Sequence, residues 1–273
     1  MVIPSLFDLT DRVVVITGAG GLLGQEHSLA VGRAGGFPIL LDVSVSSLSV
    51  ASDRLASEGL DHLALQVDVT VEGEVTEVAF DVMNRFGAVW GLVNNVASNP
   101  PMGEAANGRD LLETFPIEQW NQDIQAGLTS ALLCSRHFGQ QMAATGGGSI
   151  VNVASDLALI SPDQRMYAKA VPEGQQPPVK PVSYSVVKAA LLGLTRYLST
   201  YWSPVPVRSN ALVPGSVRGT QGSDLTRELV ERIPLARLAE PSEYQGALVF
   251  LLSDASAYMT GANLVIDGGR TTW

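Results

Sequence analysis

Cysteine is almost missing from this chain. Cys134 is the single one in 273 residues, so no internal disulfide can form, which suits a reducing cytoplasm. Positive charge is sparse as well: 17 Lys and Arg against 27 Asp and Glu leave a formal net charge of −10, with no Lys/Arg run. Nucleic acid and anionic membrane both demand concentrated positive charge, so neither is expected as a partner. No apolar run reaches the roughly 18 residues of a membrane span. The stretch Met1–Arg12 carries Asp8 and Asp11 and lacks the basic-then-apolar order of a secretory leader. No metal site, internal repeat or low-complexity segment is read from the sequence. A soluble cytoplasmic protein acting on a small molecule is expected.

Hydrophobicity is what the chain does have. At 46% apolar it can build a sizeable core, and no linker separates two patterns, so 1–273 reads as one domain. Short apolar runs alternate with helical stretches throughout. Strands are expected at Arg12–Thr17, Phe37–Asp42, His62–Asp68, Trp90–Asn94, Ser149–Ala154, Arg208–Val213 and Asn263–Ile266. Helices are expected from the glycine-rich turn to about Ala34, and over Ser44–Glu58, Val71–Phe86, Pro116–Ala144, Val182–Trp202 and Pro241–Ser253. Unbroken Val/Ile/Leu strands separated by helices predict a parallel sheet covered on both faces. The fold class is therefore α/β, a doubly wound Rossmann-like sheet of about seven strands, with ligands beyond the carboxyl ends of the strands. Two connections are long, 97–115 and 156–181, and long loops in compact domains are usually functional or disordered.

The first strand runs directly into Thr17-Gly18-Ala19-Gly20-Gly21-Leu22-Leu23-Gly24. Glycines there let the backbone turn sharply and approach a pyrophosphate, and a helix N-terminus beyond favours negative charge. Gly18, Gly21, Leu22, Leu23 and Gly24 are the cofactor-binding candidates of this turn. Asp42 ends the second strand, 24 positions after Gly18, where a carboxylate can accept hydrogen bonds from ribose hydroxyls. Its alternative use is to cap the next helix, which Ser44 could do instead. No Lys or Arg occurs from Gly35 to Asp53 to hold a 2′-phosphate, so NAD is expected ahead of NADP.

Tyr184 and Lys188 stand four positions apart at the start of a predicted helix, which puts both on one face. A free tyrosine titrates near ~10, too high for proton exchange at neutral pH, and a cation one turn away lowers that value. These two occur in company. Thr17–Gly24, Asn94-Asn95-Val96-Ala97, Ser155, Tyr184 with Lys188, Pro214-Gly215, Ile233–Glu243 and Gly261–Gly269 follow one another in the order found in short-chain dehydrogenases. The chain resembles that family over nearly its whole length.

The resemblance implies an NAD-dependent oxidoreductase interconverting a secondary alcohol and a ketone. It makes Tyr184 the general acid/base and Ser155 the hydrogen-bond partner of the reacting oxygen. Lys188 would lower the tyrosine pKa and hold the nicotinamide ribose. It sets Asp68 and Val69 beside the adenine, Asn94 beside the cofactor, and Pro214, Gly215 and Val217 over the nicotinamide end. It also implies a homo-oligomer, a dimer or a tetramer.

Three departures from the family pattern stand out. The glycines at 18, 21 and 24 follow the spacing of extended relatives, which include nucleotide-sugar epimerases and dehydratases. Gly127 falls where a catalytic asparagine of the family helps to hold a water. Ser155 and Tyr184 lie 29 positions apart, more than in compact members; Tyr167 sits nearer the family spacing, but position 171 is Val instead of Lys. With the C-terminal Gly268–Trp273, these features are similar to oxidoreductases of bacterial surface-sugar pathways, of the flagellin-glycan and nonulosonic acid kind. A sugar or nucleotide-sugar substrate is implied. The inserted segment around 156–181 is expected to be a substrate-facing lid, with Arg165, Tyr167 and Lys169 as substrate contacts. Two other functions remain open: an epimerase or dehydratase with tightly held NAD, and a non-catalytic NAD-binding sensor.

Overall fold

The computed structural model describes residues 3–98, 111–168, 177–219 and 221–273. The apolar runs become β1 (Val13–Thr17), β2 (Phe37–Asp42), β3 (Leu63–Gln66), β4 (Gly91–Asn94), β5 (Gly148–Val153), β6 (Val207–Pro214) and β7 (Asn263–Ile266). They form one parallel sheet in the order β3-β2-β1-β4-β5-β6-β7. Side chains alternate along each strand, and both faces find a partner layer. Val14 and Ile16 pack with Leu29, Leu248 and Leu251, while Val15 between them packs with Ile39, Phe138 and Met142. Burial on both faces is why β1 is nearly pure Val and Ile.

Eight helices cover the faces: α1 (Leu22–Arg33), α2 (Val45–Ser57), α3 (Glu72–Phe86), α4 (Ile117–Ile124), α5 (Ser130–Ala144), α6 (Val182–Tyr201), α7 (Ser223–Val230) and α8 (Gln245–Leu252). Ser44 caps α2 by accepting from the Ser47 N–H at 3.2 Å, and Gly87, at φ +75°, ends α3 in the left-handed conformation. The sheet reverses its winding between β1 and β4. The crevice above their carboxyl ends is the switch point where such sheets bind ligands.

Three elements differ from the expectation. The long helix Pro116–Ala144 is two helices, α4 and α5, joined by a single π-helical turn at Gln125–Thr129 that contains Gly127. The stretch before α8 starts as a tight 3-10 turn, Pro241–Tyr244, closed by reciprocal bonds between Glu240 and Glu243. α7 was not expected. Its Leu229, with Ile233 and Leu238 beyond it, packs against Met166 and Tyr167 of the one-turn helix Arg165–Ala168. None of the described helices is long and apolar enough to cross a membrane.

Candidate active site

A cavity of about 720 Å³ opens above the switch point. One end is the glycine turn. Gly18 takes φ +62°, a conformation that disfavours any side chain. A Cβ at Gly24 would stand 2.1 Å from the Gly18 carbonyl oxygen, so α1 closes onto the turn only with glycine there. Gly24 therefore packs the cradle and does not line it, whereas Gly18, Gly21, Leu22 and Leu23 do. Asp42 ends β2 at the cavity edge. Its Oδ2 accepts from the Gly20 N–H at 2.9 Å and its Oδ1 from the Ser44 N–H at 3.0 Å, so one carboxylate fixes both the glycine turn and its own. Asp68 and Val69 continue this wall, Asp68 holding Thr70 through an Asx turn at 2.9 Å.

The other end lies between β5, β6 and α6. Ser183 Oγ donates to the buried Asp123 of α4, which pins the first turn of α6 and with it Tyr184. One turn on, Lys188 is buried and donates from Nζ to the Val153 carbonyl at the end of β5, at 2.7 Å. Ser155 follows that strand end. Its Oγ accepts from the Leu157 N–H at 3.2 Å and donates to Asp156 Oδ1 at 2.9 Å. Ser155, Tyr184 and Lys188 share the cavity wall with Pro214, Gly215 and Val217.

Burial dominates the electrostatics here. It raises the Tyr184 pKa, opposed by the hydrogen bond with Ser155 and reinforced by the Asp156 charge. It lowers Lys188 to about 8, helped by repulsion from Lys180. The expected depression of the tyrosine by Lys188 is thus not what this structure shows: the ammonium lies 5.9 Å from the ring centroid and its own charge is the one disfavoured. The closer cation is Lys180, 3.8 Å above the same ring.

Several other expectations need correction. Asn94 does not reach the cavity. Its amide donates inward to Ser135 Oγ (3.0 Å) and Asn152 Oδ1 (2.8 Å), while Asn95 is on the wall and bonds the Gly18 carbonyl at 3.1 Å. Arg165 is not on the wall either. Its guanidinium is exposed and locked on Asp163 two residues away, at 2.8 Å. Tyr167 does line the cavity, with burial pushing its hydroxyl up to about 12. Lys169 lies outside the described residues, with the rest of 169–176. The cations that sequence reading passed over are Lys180 and Arg270. Arg270 had a signal, its place after the glycine pair at 268–269, but its partner Asp156 is 114 positions away.

The parallel sheet, the glycine cradle at its switch point and the Ser–Tyr–Lys group at the far end define a dinucleotide-dependent oxidoreductase of the Rossmann type. A family model described as enoyl-(acyl carrier protein) reductase matches residues 23–271. The chain is 30% identical over 270 residues to an NAD-dependent glycerol dehydrogenase of Listeria innocua, covering 97% of this chain and 96% of that one. It is 31% identical to a galactitol 2-dehydrogenase (L-tagatose-forming) of Cereibacter sphaeroides, covering 98% of each. A short-chain type dehydrogenase/reductase from Mycobacterium marinum superposes with a TM-score of 0.83 at 28% identity, over 99% of both chains. The chain belongs to the short-chain dehydrogenase/reductase family, and it is an oxidoreductase.

Proposed function

We propose that this enzyme uses NAD to interconvert a secondary alcohol and a ketone on a sugar alcohol or related polyhydroxy compound, with Tyr184 as general acid/base. The observation that carries the reading is the convergence of Ser155, Tyr184 and Lys188 at one end of a cavity whose other end is a glycine cradle edged by Asp42.

NAD fits the residues present. The cradle would take the pyrophosphate, since side chains at 18 and 24 are excluded by conformation and contact. Asp42 would receive the adenosine ribose, and the first basic residue beyond it, Arg54, is already engaged by Gln25 (2.8 Å) and Glu26 (2.7 Å) instead of standing ready for a 2′-phosphate. When bound, the cofactor supplies the hydride acceptor or donor. The chain's own residues manage the proton. Ser155 holds the reacting oxygen and Tyr184 exchanges its proton with it. Lys188, anchored on Val153, would hold the ribose close to them. A phenol kept neutral by burial is set to donate to a carbonyl oxygen; for alcohol oxidation it must first ionise. Oxidation is therefore expected to accelerate towards alkaline pH and reduction to slow.

The names of the relatives favour polyols over nucleotide sugars, and the similarity to surface-sugar oxidoreductases keeps sugars in the screen. The test is net NADH formation with polyols, sugars and simple secondary alcohols, for the wild type and Tyr184→Phe. Turnover lost in the variant with NAD affinity within about threefold is the expected result. Product without net NADH would mean an epimerase or dehydratase. NAD binding with no turnover on any of these would mean a sensor, and wild-type kcat in Tyr184→Phe would sink the acid/base role.

A further inference from the structure

Beside Ser155 the cavity wall carries a buried ion pair that no step of the proposed chemistry uses. Arg270 Nη1 donates to Asp156 Oδ2 at 2.7 Å, and the two side chains are only 6% and 4% exposed. Nη1 also reaches Ser216 Oγ at 3.3 Å. The chain is shaped to bring Arg270 there. After β7, Gly268 and Gly269 both take positive φ (+67° and +88°), and Asp267 holds the turn by accepting from the Gly269 N–H (2.9 Å) and the Thr271 N–H (2.7 Å). A Cβ at Gly268 would stand 2.7 Å from Ile233, so the turn admits little else.

Taking two opposite charges out of water costs more than their attraction returns unless further hydrogen bonds use their remaining capacity. Here capacity is left over. A carboxylate offers about four lone-pair sites and a guanidinium five donors. Asp156 spends its side chain on Ser155 and Arg270, and Arg270 spends only Nη1 on described residues. Both residues line the cavity, next to the serine that would hold the reacting oxygen.

The geometry points to Asp156 and Arg270 as a clamp for a substrate hydroxyl on the carbon next to the reacting one. This rests on the alcohol–ketone reading above. A hydroxyl donates and accepts at once, so it can give its hydrogen to the carboxylate while its oxygen accepts from the guanidinium. Because the pair neutralises itself, it offers an anion no net attraction to repay its desolvation, so the clamp favours a neutral vicinal diol over a sugar acid. Ser155 and Asp156 are adjacent just beyond β5, so the reacting oxygen and the neighbouring hydroxyl are received side by side, the Ser155 hydroxyl turning from Asp156 to the reacting oxygen as substrate enters.

Two variants test this. Asp156→Asn/Arg270→Gln removes both charges together and leaves none buried alone; Arg270→Lys keeps the ion pair and loses the fork of donors. For xylitol and galactitol, kcat/KM should fall roughly 10- to 100-fold in both, mainly through KM, while in Arg270→Lys, which leaves Asp156 and its bond to Ser155 in place, cyclohexanol changes less than about threefold. An equal fall for polyols and cyclohexanol would show that the pair only holds Ser155 and the C-terminal turn, and would overturn the clamp. No change for polyols, or a wild-type preference for gluconate over the polyols, would overturn it too. Binding separates this from the alcohol–ketone reading. Xylitol affinity for the NAD-saturated protein, measured by calorimetry in a Tyr184→Phe background, needs no turnover. It should weaken by the same factor when the pair is replaced, and unaltered xylitol affinity would defeat the clamp whatever the enzyme turns over.

Discussion

Val187 of α6 occupies the space that a side chain at position 127 would need: a Cβ built on Gly127 stands 2.5 Å from Val187 Cγ1. Gly127 sits in the π-helical turn between α4 and α5, buried against the helix that carries Tyr184 and Lys188. The missing asparagine is therefore a packing solution. With glycine at 127, α6 lies close to that turn, and Val187 fills the place. Overpacking of this kind typically costs about 1–3 kcal/mol. Gly127→Ala is expected to lose stability in that range by urea denaturation, and Gly127→Asn to lose more together with turnover. In a Val187→Ala background the Gly127→Ala penalty should shrink to below about 0.5 kcal/mol, because the colliding methyl is gone. An undiminished penalty there would place the cost elsewhere.

Asp42 carries two loads at once. It closes the glycine turn through Gly20 and stands where the adenosine ribose would arrive. Asp42→Ala is expected to raise KM for NAD about tenfold or more and to narrow the preference over NADP, since both the ribose acceptor and the repulsion of a 2′-phosphate disappear. Asp42→Asn separates the two loads. Its amide oxygen can still accept from the Gly20 N–H, but its NH2 cannot accept from the Ser44 N–H that Oδ1 now serves, so it should recover NADP turnover at a stability cost of about 1 kcal/mol. A wild type with higher kcat/KM for NADP would reverse the assignment.

The sheet was readable because burial on both faces leaves its signature in composition: Val13–Thr17 and Phe37–Asp42 stand where the apolar runs put them. The centre of the site was readable for a different reason. Asp42, Ser155, Tyr184 and Lys188 each sit at a strand end or a helix start, where position in the chain nearly dictates position in space. What escaped depends on direction and distance. Asn94 and Asn95 are adjacent, so one faces the sheet interior and the other the cavity, and alternation alone does not say which. Arg165 looked available to a substrate although Asp163, its partner, is two residues away. The Asp156–Arg270 pair joins a strand end to the last turn of the chain, and such a meeting follows only from the closed fold.

His27 offers a test of the packing that has nothing to do with catalysis. It lies in α1, fully buried, and neither ring nitrogen has a hydrogen-bond partner among the described residues. Burial pulls its pKa down from 6.5 to about 4. In the unfolded chain the imidazole takes up a proton near its ordinary value, while the folded chain resists until about 4. The unfolded state therefore binds more protons between those limits, and stability must fall as pH drops through that window. At pH 7 almost none of this penalty is present; at pH 5 it amounts to about 2 kcal/mol. His27→Leu puts a side chain that needs no partner and cannot charge into the same buried space. Urea denaturation of both proteins at pH 7 and pH 5 should show the wild type losing about 2 kcal/mol more than the variant over that interval. Equal losses would mean that His27 is protonated in the folded state and has found a partner there.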